Sequence, residues 1–311
     1  MTNLSKELDR YLTIRRTLGY KLATEECVLR RFTAFAEREG ADNITTDLFL
    51  RWRKAFGQAK RKTWSKRLTT VRVFARWLHS IDAKHEIPPN GLIPGCQNRP
   101  RPYIYSEEEI RRIVDGAAEL PSYNGIRALT CSTLFALIAV TGLRVGEALS
   151  LEVADVDLET GVITLRQGKL GKARLLPVSE STRARLIAYS EERDRLLGAP
   201  SKPFFVADRG GRLTPCGAQF NFAAVCQAIG LRPAQKFKRH GRGPRIHDLR
   251  HTFAVRTLLN WYRTGKDPSR EMIKLTTYLG HKNPAHTYWY IQAVPELLDL
   301  ASQRAEAKVA P

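Results

Sequence analysis

Residues 162–178 read VITLRQGKLGKARLLPV, and this stretch predicts a β-hairpin. Residues 162–165 and 174–178 are rich in β-branched and aliphatic side chains, while 168–172 between them suits a turn. On both sides of the hairpin, apolar residues recur at helical spacing instead. The sequence therefore predicts a mainly α fold that contains one small β-sheet.

The chain is predicted to form two domains joined by a linker. Residues 1–80 show helical periodicity, which predicts a small helical domain. Prolines and glycines interrupt the pattern over 81–105, and proline both removes a backbone donor and blocks a helix, so this segment is predicted to be the linker. Ser106 and Glu109 form a capping-box pair that opens a larger mixed α+β domain over 106–311.

The composition favours a polyanionic partner. The 311 residues include 51 Lys+Arg against 31 Asp+Glu, a net charge of +20. Such a field attracts nucleic acid, with an acidic membrane surface as the competing partner. No run approaches the roughly 20 apolar residues that span a bilayer, and the first residues lack the apolar core of a signal peptide. The five cysteines form no C-x-x-C pair, so we expect a reduced, cytoplasmic protein.

Two basic stretches contain no acidic residue. Residues 51–76 hold ten Lys/Arg, and residues 232–245 hold six. A charge run is ordinarily a solvated face, but the complete absence of acids favours contacts with DNA phosphates. The predicted DNA contacts are Arg51, Arg53, Lys54, Lys60, Arg61, Lys62, Lys66, Arg67, Arg72, Arg239, Arg242 and Arg245.

Four short motifs contain candidate reactive side chains, and each has an ordinary alternative. In T141-G-L-R-V-G-E147, Arg144 and Glu147 could simply pair on a helix surface. A lysine in the 168–172 turn could be solvent-exposed or could donate a proton. His247 and His251 lie one helical turn apart, as in the zinc motif H-E-x-x-H, but an aspartate and an arginine occupy the intervening positions and disfavour a metal.

The last motif is L-G-H at 279–281, followed by two tyrosines. Tyr288 and Tyr290 point about 200° apart on a helix, so only one can face a shared site. The four motifs together supply two arginines, a lysine, two histidines and a tyrosine, a set that suits a phosphodiester substrate. Arginine meets phosphate oxygens with paired donors and can replace a metal ion. Tyrosine can act as a covalent nucleophile if a base assists it.

The motifs T-G-L-R-x-x-E, G-K-x-x-K-x-R-x-x-P, H-x-L-R-H and L-G-H, with a tyrosine nine residues after the last, resemble the tyrosine recombinase family of phage integrases and Xer-type enzymes. The resemblance covers about 106–295. It implies a mixed α+β catalytic domain preceded by a helical DNA core-binding domain, which could close on a duplex like a clamp. It further implies strand exchange without ATP, metal or another cofactor.

The resemblance also implies a role for each motif residue. Arg144 and Arg250 would clamp the scissile phosphate, and Glu147 would support them. Lys169 would protonate the 5′ oxygen, with Lys172 as the alternative. The remaining roles are proton transfer for His247, a phosphate hydrogen bond for His281, and attack for Tyr290, which leaves a 3′-phosphotyrosine.

The resemblance implies double-stranded DNA as the partner and a homotetramer on two DNA sites, with other recombinase subunits as further partners. A helix that begins near Pro295 could dock on a neighbouring protomer or cover its own domain. Integration, excision, transposition and dimer resolution stay open. A type IB topoisomerase-like enzyme, a catalytically silent DNA-binding protein and a metallohydrolase are the alternatives.

Overall fold

The computed structural model describes residues 3–95, 101–166, 173–233, 243–280 and 283–309. These residues divide into two compact units, one up to residue 95 and one from residue 101 onward. The predicted site residues Lys169, Lys172, Arg239, Arg242 and His281 lie outside the described residues.

The described residues of the first unit form four helices: α1 (Leu4–Thr17), α2 (Ala23–Arg38), α3 (Thr46–Ala55) and α4 (Arg61–His79). Their apolar faces form one core, in which the rings of Trp52 and Trp64 meet edge to face at 5.3 Å between centroids. Burying such large aromatic rings is the main stabilising contribution in a small helical domain.

The segment after α4 packs on the first unit as well. His85 is buried, and its Nδ1 accepts a hydrogen bond from the backbone N–H of Ile44 at 3.1 Å. Ile93 is buried in the same core. At the other end of the predicted linker, Tyr105 is buried in the second unit, where its hydroxyl donates to the carbonyl of Arg245.

The second unit is mostly helical. Its helices are α5 (Glu107–Ala118), α6 (Ile126–Thr141), α7 (Val145–Ser150), α8 (Glu180–Leu197), α9 (Pro215–Ala228), α10 (Ile246–Arg263), α11 (Pro268–Leu279), α12 (Ala285–Ala293) and α13 (Pro295–Val309), with a short 3₁₀ turn at Val153–Asp155. The predicted capping box of Ser106 and Glu109 starts α5. Helix α6 is largely apolar and buried, and it packs against α5, α8 and α10.

One three-stranded antiparallel sheet lies in the second unit, with strand order β1 (Val156–Asp157), β2 (Val162–Arg166) and β3 (Ala173–Pro177). The predicted hairpin is confirmed, and the short first strand adds to it. Leu165 pairs with Arg174, and Ile163 pairs with Leu176. Because side chains alternate along a strand, Arg174 shares a sheet face with the buried Leu176. The predicted mainly α fold with a small sheet is thus confirmed.

Helix α13 begins at Pro295, as predicted, and packs against α10 and α12 of its own chain. Leu297 is fully buried there, whereas 53% of Leu298 is exposed. Among the described helices, none is both long and apolar enough to cross a bilayer.

Candidate active site

Arg144 stands at the junction between α6 and α7. Gly142 ends α6 with a left-handed φ of 64°, and a Cβ at this position would come within 2.5 Å of the Phe253 ring. A side chain is therefore excluded both by the backbone conformation and by packing. The tight turn at Gly142 places Arg144 at the N-cap of α7, where its backbone N–H donates to Glu147 at 3.0 Å.

The two predicted arginines converge on the same stretch of backbone. Arg250 on α10 is 1% exposed, and its guanidinium donates to the carbonyls of Gly142 at 2.6 Å and Leu279 at 2.7 Å. Arg144 donates to the carbonyl of Gly280 at 3.0 Å. The backbone at the end of α11 therefore holds both guanidiniums in place, and the shared role predicted for these arginines stays a prediction.

Glu147 links this pair to the sheet. Its carboxylate accepts hydrogen bonds from Arg144 at 2.6 Å and from Arg174 at 2.9 Å. Burial by itself would raise the pKa of Glu147, but the hydrogen bonds from Arg174 and Arg144 outweigh burial and hold the pKa below its ordinary value. Three arginines and one carboxylate leave this cluster with two positive charges (3 − 1 = 2), a balance that suits a phosphate ligand.

The protein environment penalises charge at two site residues on α10. Desolvation and then the positive charge of Arg144 lower the pKa of Arg250 to about 10. Desolvation and then the positive charge of Arg250 lower the pKa of His247 to about 4, although the His247 residue is exposed. At neutral pH His247 is consequently uncharged and can accept a hydrogen bond or a proton.

Tyr290 is buried on α12, with 1% of its surface exposed, and its hydroxyl lies 3.0 Å from Nδ1 of His251. Tyr288, the alternative nucleophile, is 46% exposed. A deprotonated Tyr290 would raise the pKa of Arg250, so the two side chains lie near each other. The structure thus brings Arg144, Arg250, His247 and Tyr290 to one site.

The two histidines of α10 pack on each other, with ring centroids 4.7 Å apart. Within the residues that the structure describes, no group of three or more His, Cys, Asp or Glu side chains could hold a metal ion. Among the residues that the structure describes, guanidinium groups supply the positive charge in the site.

The predicted DNA contacts fall into two groups in the structure. Arg53, Lys54, Lys60, Arg61, Lys62 and Lys66 are exposed on α3, the α3–α4 loop and α4. The others already have contacts within the chain: Arg51 pairs with Glu39 and Asp47, Arg67 stacks on Phe56 and Trp64, Arg72 donates to Pro88 and Asn90, and Arg245 pairs with Asp248.

Comparison with known proteins shows which family the chain belongs to. The model of the phage integrase family matches residues 104–296. The protein named integrase/recombinase y4rB of Sinorhizobium fredii is 40% identical and covers 99% of this chain and 98% of its own length. Tyrosine recombinase XerC of Azotobacter vinelandii is 28% identical over 98% of this chain and 97% of its own length.

Two solved structures share the fold. The lambda integrase dimer bound to a COC′ core site gives a TM-score of 0.62 at 20% identity, over 93% of this chain and 95% of the other. The Tn1549 transposon integrase with right-end DNA gives 0.64 at 16% identity, over 100% of both chains.

Fold and sequence similarity together define an enzyme that cuts and rejoins DNA. The chain belongs to the phage integrase family of tyrosine recombinases. The function predicted from the sequence, a site-specific recombinase that cuts and rejoins DNA, is confirmed.

Two residues at the site were given no role by the sequence motifs. Arg174 belongs to the lysine motif and completes the Glu147 network, and its alternation with Leu176 on the strand is a signal that it points inward. His251 follows Arg250 directly and contacts the Tyr290 hydroxyl. Its spacing from His247 indicated a shared helix face, but a contact with a tyrosine 39 residues away has no local signal.

Proposed function

We propose that Tyr290 is the nucleophile of this recombinase and that Arg144 and Arg250 hold the scissile phosphate. The arginines bind the non-bridging oxygens and stabilise the charge that builds there during attack. The Tyr290 oxygen bonds to phosphorus, the bond to the 5′ oxygen breaks, and a 3′-phosphotyrosine forms. A free 5′-hydroxyl of another strand reverses the reaction and rejoins the DNA.

Proton transfer completes this proposal. His247 assists removal of the Tyr290 proton, and His281 donates a hydrogen bond to the phosphate. Lys169 protonates the leaving 5′ oxygen, with Lys172 as the alternative. The bond energy is kept in the protein–DNA linkage, so religation needs neither ATP nor a metal.

The observation that carries the proposal is the placement of Arg250. A guanidinium that is 1% exposed and bonded to two neutral carbonyls keeps its positive charge inside the protein. Burying a charge in this way is costly, and a bound phosphate offsets that cost. Arg144 approaches the same carbonyl-bearing segment, which supports one shared phosphate site.

A covalent adduct tests the nucleophile. The probe is a duplex with the inverted-repeat half-sites from the DNA that flanks the gene, nicked near the cleavage point so that a short fragment leaves and religation stops. Tyr290→Phe should abolish the adduct on a denaturing gel while DNA affinity stays within a few-fold, and Tyr288→Phe should keep it. An adduct that persists in Tyr290→Phe and disappears in Tyr288→Phe would overturn the assignment.

Two companion measurements test the other groups. The adduct should form in excess EDTA, and loss of cleavage that zinc restores would revive a metal at His247 and His251. A substrate with sulfur at the bridging 5′ position has a leaving group that needs no protonation. That substrate should restore cleavage by Lys169→Ala. If it restores cleavage by Lys172→Ala instead, Lys172 is the residue that protonates the 5′ oxygen.

We further propose that both basic units bind the duplex and that four protomers assemble on two sites. Rejoining four strands needs four nucleophiles. Lys60 is the N-cap of helix α4, and Arg61 and Lys62 are its first two residues. The helix dipole repels positive charge at this end, and a bound DNA phosphate would relieve that repulsion. Other recombinase subunits could replace some of the four copies. The exposed Leu298 on α13 is a candidate for the contact between protomers.

A further inference from the structure

His251 is the second histidine of the H-x-L-R-H motif, and the roles assigned above leave it unused. It is 4% exposed, and its Nδ1 lies 3.0 Å from the Tyr290 hydroxyl. Its ring packs edge to face against His247 at 4.7 Å and lies 5.8 Å from the Trp289 ring. These neighbours confine the imidazole, so its nitrogen is held beside the hydroxyl.

The hydroxyl of tyrosine is a weak nucleophile until it loses its proton, because its ordinary pKa is about 10. A side chain that takes this proton during attack must lie about 2.6–3.2 Å from the oxygen. Nδ1 of His251 meets this requirement in the structure. Imidazole also has an ordinary pKa close to neutrality, which suits a proton acceptor at physiological pH.

We propose that His251 is a catalytic residue that accepts the Tyr290 proton directly. This inference rests on the proposed role of Tyr290. The Oη–H bond breaks, its proton moves to Nδ1 of His251, and the electron pair of Oη forms the bond to phosphorus. The electrons of the broken P–O5′ bond leave with the 5′ oxygen, which takes a proton from the lysine.

The charges around His251 fit this step. The transfer makes His251 positive beside Arg250, which is unfavourable in the DNA-free protein. The bound phosphate brings negative charge to Arg144 and Arg250 at the moment of attack, and this offsets the new imidazolium. His247 is exposed and packs on the same ring.

Two replacements separate proton transfer from simple positioning. In His251→Asn, the side-chain amide occupies roughly the place of Nδ1 and can accept the hydroxyl hydrogen bond, but it cannot take the proton. His251→Ala removes both abilities. If His251 is the base, both variants should slow adduct formation on the nicked duplex by at least about 100-fold, since general bases contribute about 10²–10⁴-fold.

The matched control is His286→Asn, an exposed histidine one turn before Tyr290 on α12, which should retain its adduct rate. All rates are measured at saturating duplex, with DNA affinity and melting temperature recorded for each variant. A rate for His251→Asn within a few-fold of the unmodified protein would overturn proton transfer and leave positioning alone. A normal rate for His251→Ala would remove any role in the reaction.

A second measurement depends on the nucleophile rather than on the fold. Fluorotyrosine at position 290 has a lower pKa and needs less help from a base, so it should shrink the deficit of His251→Ala at least tenfold. An unchanged deficit would overturn the proposal.

If His251→Asn and His251→Ala both fail to fold, nitrogen NMR of the unmodified protein tests the proposal instead. An Nδ1 that accepts a proton from Tyr290 must itself carry no proton at neutral pH. A protonated Nδ1 there would contradict the proposal. Failure of the nucleophile assignment is distinguishable, since an adduct in Tyr290→Phe would refute that role whatever the His251 variants do.

Discussion

The active site of the second unit and the basic surface of the first unit use the same side chains in opposite surroundings. Arg250 is buried and bonded to backbone carbonyls, while Lys60, Arg61 and Lys62 are exposed at the start of α4. A buried guanidinium has one orientation and strong, unscreened interactions. An exposed lysine has many orientations and is screened by salt.

The two regions are therefore suited to different tasks. In the proposed mechanism, the buried arginines recognise the shape of a single phosphate and the charge that develops on it. If the surface cations contact DNA as proposed, they contribute affinity by releasing counterions, whatever the exact geometry. The two regions should therefore respond to mutation in different observables, chemistry in one and salt-dependent binding in the other.

The largest expected effect comes from the conservative replacement Arg250→Lys. A lysine keeps the charge but lacks the fork that reaches both carbonyls and the phosphate. We expect adduct formation to fall by about 10²–10³-fold, the usual cost of one transition-state donor. Single-turnover cleavage of the nicked duplex measures it.

Arg61→Lys is the matched control, because this arginine is exposed and only its charge should matter. Its cleavage rate should stay within twofold. Equal losses in the two variants would erase the distinction between the buried and exposed cations.

Leu297 and Leu298 provide the same contrast with apolar side chains. Leu297 belongs to the buried cluster that contains Tyr290, so Leu297→Ala should lower the free energy of unfolding by about 2–5 kcal/mol. Leu298→Ala should cost under about 0.5 kcal/mol because the side chain is half-exposed. Urea unfolding measures both.

The Leu298 variant should nevertheless weaken the four-protomer complex on native gels if this residue contacts a neighbour. Assembly that is unchanged by Leu298→Ala would place the protomer contact elsewhere.

Neutralising Lys60, Arg61 and Lys62 together tests the surface. If each contacts a phosphate, the log–log slope of affinity against salt should become less steep by about 2.7, at about 0.9 per contact. Cleavage from the preformed complex should keep its rate. An unchanged slope would show that these cations are only a solvated face.

The smallest effect concerns His247. Its pKa of about 4 lies below the ordinary 6.5, so between these values the unfolded chain binds a proton that the folded chain does not. Stability should therefore fall as pH drops from about 6.5 towards 4. His247→Gln should reduce the loss of melting temperature between pH 7 and pH 5 by about 2 °C or less, because the residue is exposed. A larger loss of melting temperature in His247→Gln than in the unmodified protein would contradict this prediction.

Much of the fold was predictable because local rules decide it. Ser106 and Glu109 cap α5 and Pro295 starts α13, each as predicted. These features depend on side-chain and backbone chemistry within one helical turn. The hairpin was predicted for the same reason, since turn residues and strand periodicity are adjacent in sequence.

The contacts that complete the site could not be predicted in this way. Arg144 donates a hydrogen bond to the carbonyl of Gly280, which is 136 residues away. His251 on α10 contacts the hydroxyl of Tyr290 on α12. Such pairs are set by tertiary packing, which leaves no periodic trace in one sequence. The family resemblance identified which residues matter, but it assigned proton transfer to His247 and offered no role for the buried histidine beside it.

The register of β3 sets a rule for engineering this enzyme. Glu147 fixes Arg174, and Arg174 pairs with Leu165 across the hairpin. Because side chains alternate, inserting one residue within β3 would turn Arg174 away from Glu147 and expose the face that Leu176 buries. Changes of length outside β2 and β3 would instead leave the strand register, and with it the contact between Arg174 and Glu147, intact.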